Sequence, residues 1–196
     1  MYKDIEFICS GNYARSPLAE AIARRYLEQR GLKSINVSSS GTLVEAFRIY
    51  NENNVVNFLL PLIPKALERE IITPEQAEDI RQKRDVRTLQ DELNKKLKER
   101  EDYQKKIVLG EMDLIAYFDF NRIPKQTIVR PEAELIIPVD QENCKRTIQI
   151  YSKAEQKPRI ELLGEVMDPI FCSLDEYRIT ARELEKATVG AMQKYL

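Results

Sequence analysis

Apolar and polar positions along the chain recur with two different periods. Ile5, Phe7 and Ile8 give residues 2–8 a short apolar run, which predicts a buried strand. Leu18, Ile22 and Tyr26, with Ala19, Ala23 and Leu27 beside them, recur at helical spacing, while Arg24, Arg25, Glu28 and Gln29 fill the opposite face. Ser16 is placed to cap that helix, Pro17 fits its first turn and Gly31 stops it. Residues 34–39 read as a second strand, closed by Ser40-Gly41-Thr42. Strand, helix and parallel strand form a βαβ unit with a right-handed crossover. Ligands of such sheets bind beyond the C-terminal strand ends, where residues 9–15 and the 39–42 turn both lie.

Beyond residue 43 the pattern is less regular. The run 59–64 is apolar and punctuated by Pro61 and Pro64, a packed turn. Thr73-Pro74-Glu75-Gln76 is a capping box that starts a helix. Residues 65–106 hold 12 basic and 11 acidic residues, with Val86, Leu89, Leu93 and Leu97 as an apolar stripe. One or two amphipathic helices with one face on the core account for this; a helix that binds a protein partner is the other reading. Residues 112–118 read as a third buried strand. Residues 134–139 and 147–151 read as strands too, joined by a turn at 140–143 into a hairpin inserted before the last core strand at 159–163. Ser173-Leu174-Asp175-Glu176 is a second capping box. Behind it Tyr177, Ala181, Leu184, Thr188, Ala191 and Tyr195 mark a final helix. The expected fold is α/β: a three-layer, four-stranded parallel sheet of order 2-1-3-4 with helices on both faces. One domain is expected over 1–196, with a charged helical insertion at about 60–106 and a hairpin insertion at about 130–152.

Composition removes several function classes. Acids and bases nearly cancel, to a formal net charge of −1, which offers nothing to nucleic acid or an anionic membrane. No apolar run approaches the ~18 residues of a membrane span, and Met1-Tyr2-Lys3-Asp4 lacks a signal-peptide pattern, so a cytoplasmic protein is expected. Cys9, Cys144 and Cys172 are too scattered for a zinc site or a disulfide framework. The chain has no histidine, so Ser–His and Cys–His pairs are absent, and a catalytic proton near neutral pH must come from Asp, Glu, Cys, Tyr or Lys.

The candidate chemistry lies in Cys9-Ser10-Gly11-Asn12-Tyr13-Ala14-Arg15-Ser16, between the first strand and the first helix. Strand, tight loop and helix start build an anion cradle: loop N–H groups point inward, and the helix N-terminus adds partial positive charge. A cysteine at its floor is a thiolate nucleophile with a lowered pKa. Arg15, with its planar fork of donors, grips two phosphate oxygens. The bland alternative is a buried structural Cys9 with a solvated Arg15. A phosphate monoester cleaved this way also needs a proton for its leaving oxygen, and Asp168-Pro169 sits in a loop at the same sheet edge. Val166, Met167, Ile170 and Phe171 would raise that carboxyl's pKa by desolvation. Glu165 and Asp175 are the competing acids. Ser16 is either a cap alone or a cap whose hydroxyl also faces the thiolate.

As a set these pieces resemble the low-molecular-weight protein tyrosine phosphatases. The family pattern Cys-x-Gly-Asn-x-x-Arg-Ser-Pro is matched by Cys9, Gly11, Asn12, Arg15, Ser16 and Pro17, followed by Ala19-Glu20-Ala21. Ser39-Ser40-Gly41-Thr42 matches its second-strand turn, and Ile160-Glu161-Leu162-Leu163-Gly164 with Asp168-Pro169 its stretch before the last helix. The resemblance covers roughly residues 1–42, 107–123 and 158–196. It implies a phosphomonoester hydrolase, of protein-tyrosine-phosphatase type, without metal or cofactor. Cys9 would form a cysteinyl-phosphate. Arg15 and the N–H groups of Ser10, Gly11, Asn12, Tyr13, Ala14 and Arg15 would hold the equatorial oxygens. Ser16 would support the thiolate, Asn12 would lock the loop through Ser39, and Asp168 would protonate the leaving group. Tyr13, Phe47, Tyr50, Ile170 and Phe171 would wall the substrate pocket. The substrate would be a phosphotyrosine protein or a small phosphomonoester. The chain departs from the family in placing Ile170 directly after Asp-Pro and in having no tryptophan. The same scaffold also carries arsenate reductases, whose two further cysteines Cys144 and Cys172 do not match in position. A non-catalytic phosphate-binding scaffold, working through the charged helices, is the reading from another class.

Overall fold

A computed structural model describes residues 2–48, 53–170 and 172–196. Its centre is a four-stranded parallel sheet of β1 (Asp4–Cys9), β2 (Asn36–Gly41), β3 (Leu135–Pro138) and β4 (Arg159–Ile160), in the order β2-β1-β3-β4. β1 is flanked on both sides, with Ile5 opposite Val37 and Leu135 and Cys9 opposite Gly41. That placement explains why all six of its residues are buried, Asp4 and Glu6 included. Glu6 is pushed above the ordinary carboxylate range by burial, with hydrogen bonding and the Arg130 guanidinium opposing the shift.

Strand alternation sorts the core into two layers. Ile5, Phe7, Leu135 and Ile137 join a cluster with α1 (Arg15–Gln29) and α8 (Leu174–Tyr195), through Leu18, Ile22, Ala181 and Leu184 among others. Ile8 and Ile136 turn to the other face and meet Tyr151 of α7 (Gln141–Tyr151). Fully burying each such Ile or Phe contributes roughly 1.5–3 kcal/mol. A separate apolar cluster gathers α2 (Val44–Arg48), α3 (Asn53–Leu59), α4 (Ile63–Glu68), α5 (Pro74–Lys83) and the start of α6 (Arg87–Glu111), around Leu43, Leu59, Ile63 and Ile80. Val86 and Leu89 of the expected stripe are buried in it; the side chains of Leu93 and Leu97 lie outside the description. Both capping boxes form, at Thr73 and Ser173.

Three expectations are corrected. Residues 112–118 are not a strand: Met112 ends α6, Asp113 takes a left-handed φ of 54°, and Ile115–Tyr117 is a 3-10 turn. Seven apolar-rich residues fit a buried helix end as well as a strand, and here Leu114 and Phe118 fill the core from irregular backbone. The hairpin at 130–152 does not form either. Residues 135–138 are the third core strand, and 147–151 belong to α7, which the Asp140 side chain caps by accepting from Asn143 N–H at 2.7 Å. Asn143, Thr147 and Tyr151, four apart, are its buried face. Finally, α1 begins at Arg15, so Ser16 lies inside the first turn and is not its cap. Among the described residues, no helix is long and apolar enough to cross a membrane.

Candidate active site

Cys9 is the last residue of β1, and the chain leaves the sheet there because β2 ends opposite it. The next turns are pinned from β2: Thr42 N–H donates to the Cys9 carbonyl and Leu43 N–H to the Ser10 carbonyl, each at 2.9 Å. A Cβ on Gly41 would come within 2.6 Å of the Ser10 carbonyl and 2.7 Å of Asn12 N, so only glycine admits the loop so close. Asn12 holds a left-handed φ of 52°, a conformation that costs a non-glycine residue roughly 1–2 kcal/mol. In return its N–H turns to the Cys9 sulfur, 3.2 Å away. The Ser16 hydroxyl, free of any capping role, is 3.0 Å from the same sulfur and 3.1 Å from the Ser40 carbonyl. Two donors therefore face a nearly buried sulfur.

The Asn12 side chain is the hub of the loop. Its Nδ2 donates to Ser16 Oγ at 3.1 Å and to Ser39 Oγ at 3.0 Å. Its Oδ1 accepts from Lys125 N–H at 2.9 Å and from Arg122 Nη2 at 3.2 Å. Ser39 thus stands where expected, whereas Arg122 and Lys125, more than 100 positions away in sequence, were not foreseen.

Arg15 is buried at the start of α1 with both arms engaged. Nη1 donates to Asp140 Oδ2 at 2.6 Å and to the Val166 carbonyl at 3.1 Å; Nη2 donates to Asp168 Oδ2 at 2.5 Å. Burial presses its pKa down, but Asp168, Cys9 and Asp140 outweigh that and raise it, keeping the guanidinium charged. Asp168 keeps its other oxygen on Ile170 N–H at 3.2 Å. The competing acids point elsewhere: Glu165 accepts from Gln141 N–H at the start of α7, and Asp175 pairs with Arg178 on the surface.

Cys9, the loop through Arg15, and Asp168 all open on one cleft of about 830 Å³. Of the expected pocket walls, Tyr13, Phe47 and Ile170 line it, while Tyr50 and Phe171 lie outside the described residues. Phe58, Phe118 and Phe120 add apolar wall not foreseen from sequence. The charged helix α6 contributes Gln90, Asp102 and Lys105. Tyr13 OH donates to Asp102 at 2.7 Å, and the Lys105 ammonium lies 3.7 Å from the centre of the Tyr13 ring. All three cysteines are free. Burial pushes the Cys172 and Cys144 thiols up, so neither matches the donor-rich setting of Cys9.

The family model described as low molecular weight phosphotyrosine protein phosphatase matches residues 4–58. The low molecular weight protein-tyrosine-phosphatase PtpA of Staphylococcus epidermidis is 53% identical over 38 residues, 19% of this chain and 25% of that protein. The match thus spans about a quarter of the length of such curated relatives. Among solved structures, Vibrio vulnificus Wzb in complex with benzylphosphonate shares the fold over 99% of both chains, at 15% identity and a TM-score of 0.60. The fold of the arginine phosphatase YwlE of Bacillus subtilis covers 97% of this chain and 94% of its own, at 18% identity and 0.55. The sequence of residues 4–58 is similar to the low-molecular-weight protein tyrosine phosphatases, and the fold is shared with solved structures of that family.

The sequence match stops within α3, and the remaining site groups come from beyond it. Asp140 had a local signal that went unread. Asp140 ends an apolar run and stands three residues before Asn143, the geometry of a helix cap. Arg122 lies in a mixed segment between Asn121 and Ile123 with no motif of its own, and its partners could be found only in three dimensions.

Proposed function

We propose that the chain is a phosphomonoester hydrolase of the protein-tyrosine-phosphatase type, acting through a cysteinyl-phosphate. The observation that carries this reading is that a donor-surrounded Cys9, the Arg15 fork and the Asp168 carboxyl open on one apolar-walled cleft. In the first step the Cys9 thiolate attacks phosphorus, the S–P bond forms and the P–O bond to the leaving group breaks. Asp168 gives its proton to the departing oxygen. Loop N–H groups and Arg15 hold the equatorial oxygens, where charge gathers in the transition state. In the second step Asp168, now a carboxylate, takes a proton from water as that water attacks phosphorus; the S–P bond breaks and phosphate leaves. Nη2 of Arg15, which Asp168 occupies in the resting site, is the donor a phosphate oxygen takes over.

An aryl phosphate is the favoured substrate class, because aromatic side chains wall the cleft above the loop. Phosphotyrosine peptides are its protein form. The fold neighbour YwlE, an arginine phosphatase seen with a phosphorylated active-site serine in its cysteine-to-serine mutant, makes phosphoarginine the competing substrate. Hydrolysis of p-nitrophenyl phosphate, and its loss in Cys9→Ser, tests the chemistry. Ranking phosphotyrosine peptide, phosphoarginine and phosphoserine peptide by kcat/KM tests the class. Wild-type turnover in Cys9→Ser would sink the covalent route, and a higher kcat/KM for phosphoarginine would move the substrate class.

A further inference from the structure

We infer that Arg122 is a positioning residue of the site: it fixes the phosphate loop in its anion-binding shape by gripping the Asn12 side chain. The inference rests on the phosphatase reading above. Asn12 is the one non-glycine residue of loop 10–14 with a left-handed φ, and only in that conformation does its N–H meet the Cys9 sulfur. Such a residue keeps its conformation only when its surroundings over-determine it. A side-chain amide has two N–H donors and two acceptor lone pairs, and all four are in use at Asn12. Ser16, Ser39 and the Lys125 N–H are neutral partners. Arg122 is the charged one.

The guanidinium does more than touch Asn12. Nη2 also donates to Ser39 Oγ at 2.9 Å, and Nη1 donates to Glu20 Oε2 at 3.0 Å. The Ser39 hydroxyl in turn donates to Glu20 Oε2 at 2.7 Å. Asn12, Ser39, Glu20 and Arg122 close a ring, so the orientation of each is set by two others. Glu20 has a second cation, Arg24 at 2.6 Å, but that side chain is 48% exposed against 16% for Arg122. Arg122 is therefore the more enclosed counter-charge of a buried carboxylate, and its bonds are charge-assisted. It also comes from the 119–125 segment that lines the cleft, tying the cleft's far wall to its floor. A planar fork spreads its donors over three partners on two nitrogens, whereas an ammonium carries all its donors on one atom.

Without Arg122, Asn12 Oδ1 keeps the Lys125 N–H alone and the amide can swing, taking the Asn12 N–H off the sulfur and the loop donors off their aim. The effect should fall on the chemical step, because charge on the equatorial oxygens grows toward the transition state. With kcat expressed per Cys9 titrated by iodoacetate, Arg122→Met should lose roughly 10–100-fold on p-nitrophenyl phosphate. Arg122→Lys should recover part of that loss. In a double-mutant cycle, Arg122→Met with Asn12→Ala should be no worse than Asn12→Ala alone, within about 2-fold, because both remove the same restraint. Inorganic phosphate should raise the Tm of the wild type and raise that of Arg122→Met less, a reading independent of turnover.

If Arg122→Met does not fold, Arg122→Lys takes its place in the cycle and in the phosphate titration. A role in stability alone would lower Tm and leave kcat per titrated site at the wild-type value, and that result overturns the inference. So do losses that multiply in the double variant. An inactive wild type that still gains Tm from phosphate, with the gain reduced in Arg122→Met, would sink the phosphatase reading while leaving the grip on Asn12 standing.

Discussion

The first 48 residues and the stretch from α3 to α6 build the same cleft in different ways. In the first, the chemistry is local: Cys9, Asn12, Arg15 and Ser16 lie within eight positions and meet because strand, loop and helix start follow one another. In the second, Phe58 and Leu59 come from α3 and Gln90, Asp102 and Lys105 from α6, two helices that an apolar cluster packs together through α4 and α5. The cluster sets their positions, and no short motif records it. The family match covers the first region and stops within α3, so most of the second lies beyond it. A reaction can thus be written in one loop while the selection of what reacts is spread over a packed wall.

The largest effects should come from the loop. Arg15→Lys should cost roughly 10²–10³-fold in kcat/KM on any phosphomonoester, since a point charge replaces a fork that reaches two oxygens. A loss common to all substrates marks the loop as generic, and a loss confined to one substrate would break the contrast with the wall. Next comes Asp168→Asn. Phosphotyrosine peptides, with a poor leaving group, should slow by roughly 10²–10³-fold and p-nitrophenyl phosphate clearly less. Equal losses on both would take the acid role from Asp168.

Oxidation sharpens the loop side further. Peroxide should inactivate through Cys9, and early thiol treatment should restore activity, because Ala14 rather than a second cysteine precedes Arg15. A disulfide from Cys9 to Cys144 or Cys172 in peptide mass spectrometry would contradict this. The wall should give the smallest and most selective effects. Lys105→Met removes the ammonium from the Tyr13 ring and from Asp102, 3.4 Å away. It should change the ranking among phosphopeptides by about 3–10-fold in KM, as expected for a cation–π contact of ~0.5–1 kcal/mol or somewhat more. Phe47→Leu should act likewise through aromatic wall area. Either variant lowering kcat equally on p-nitrophenyl phosphate and on peptides would place the wall in the chemistry and erase the distinction.

The same division governs what the sequence made legible. β1, α1 and β2 were readable because Ile5, Phe7 and Ile8, the Leu18–Ile22–Tyr26 stripe and Gly31 each state their period or stop locally. α8 was readable from its capping box and buried stripe. The third strand was misplaced because residues 112–118 and 135–138 are both short apolar runs, and only pairing with β1 distinguishes them. Residues 141–151 were taken for turn and strand because Asp140 was not recognised as a cap, although Asn143, Thr147 and Tyr151 keep helical spacing. Cys9, Arg15, Asn12, Ser16, Ser39 and Asp168 were named from sequence and meet in space. Asp140 and Arg122 were missed because each acts on a residue more than 100 positions away.

The close seating of the loop on Gly41 bears on how this site can be moved between proteins. A Cβ at that position would collide with Ser10 and Asn12, so the floor of the cradle is the end of a neighbouring strand as much as the loop itself. Residues 9–16 transplanted alone into another parallel sheet would meet a side chain there and open. The smallest portable part is the loop together with Ser39–Gly41 and the segment from Arg122 to Lys125. Those three separate pieces of chain must be carried as one graft.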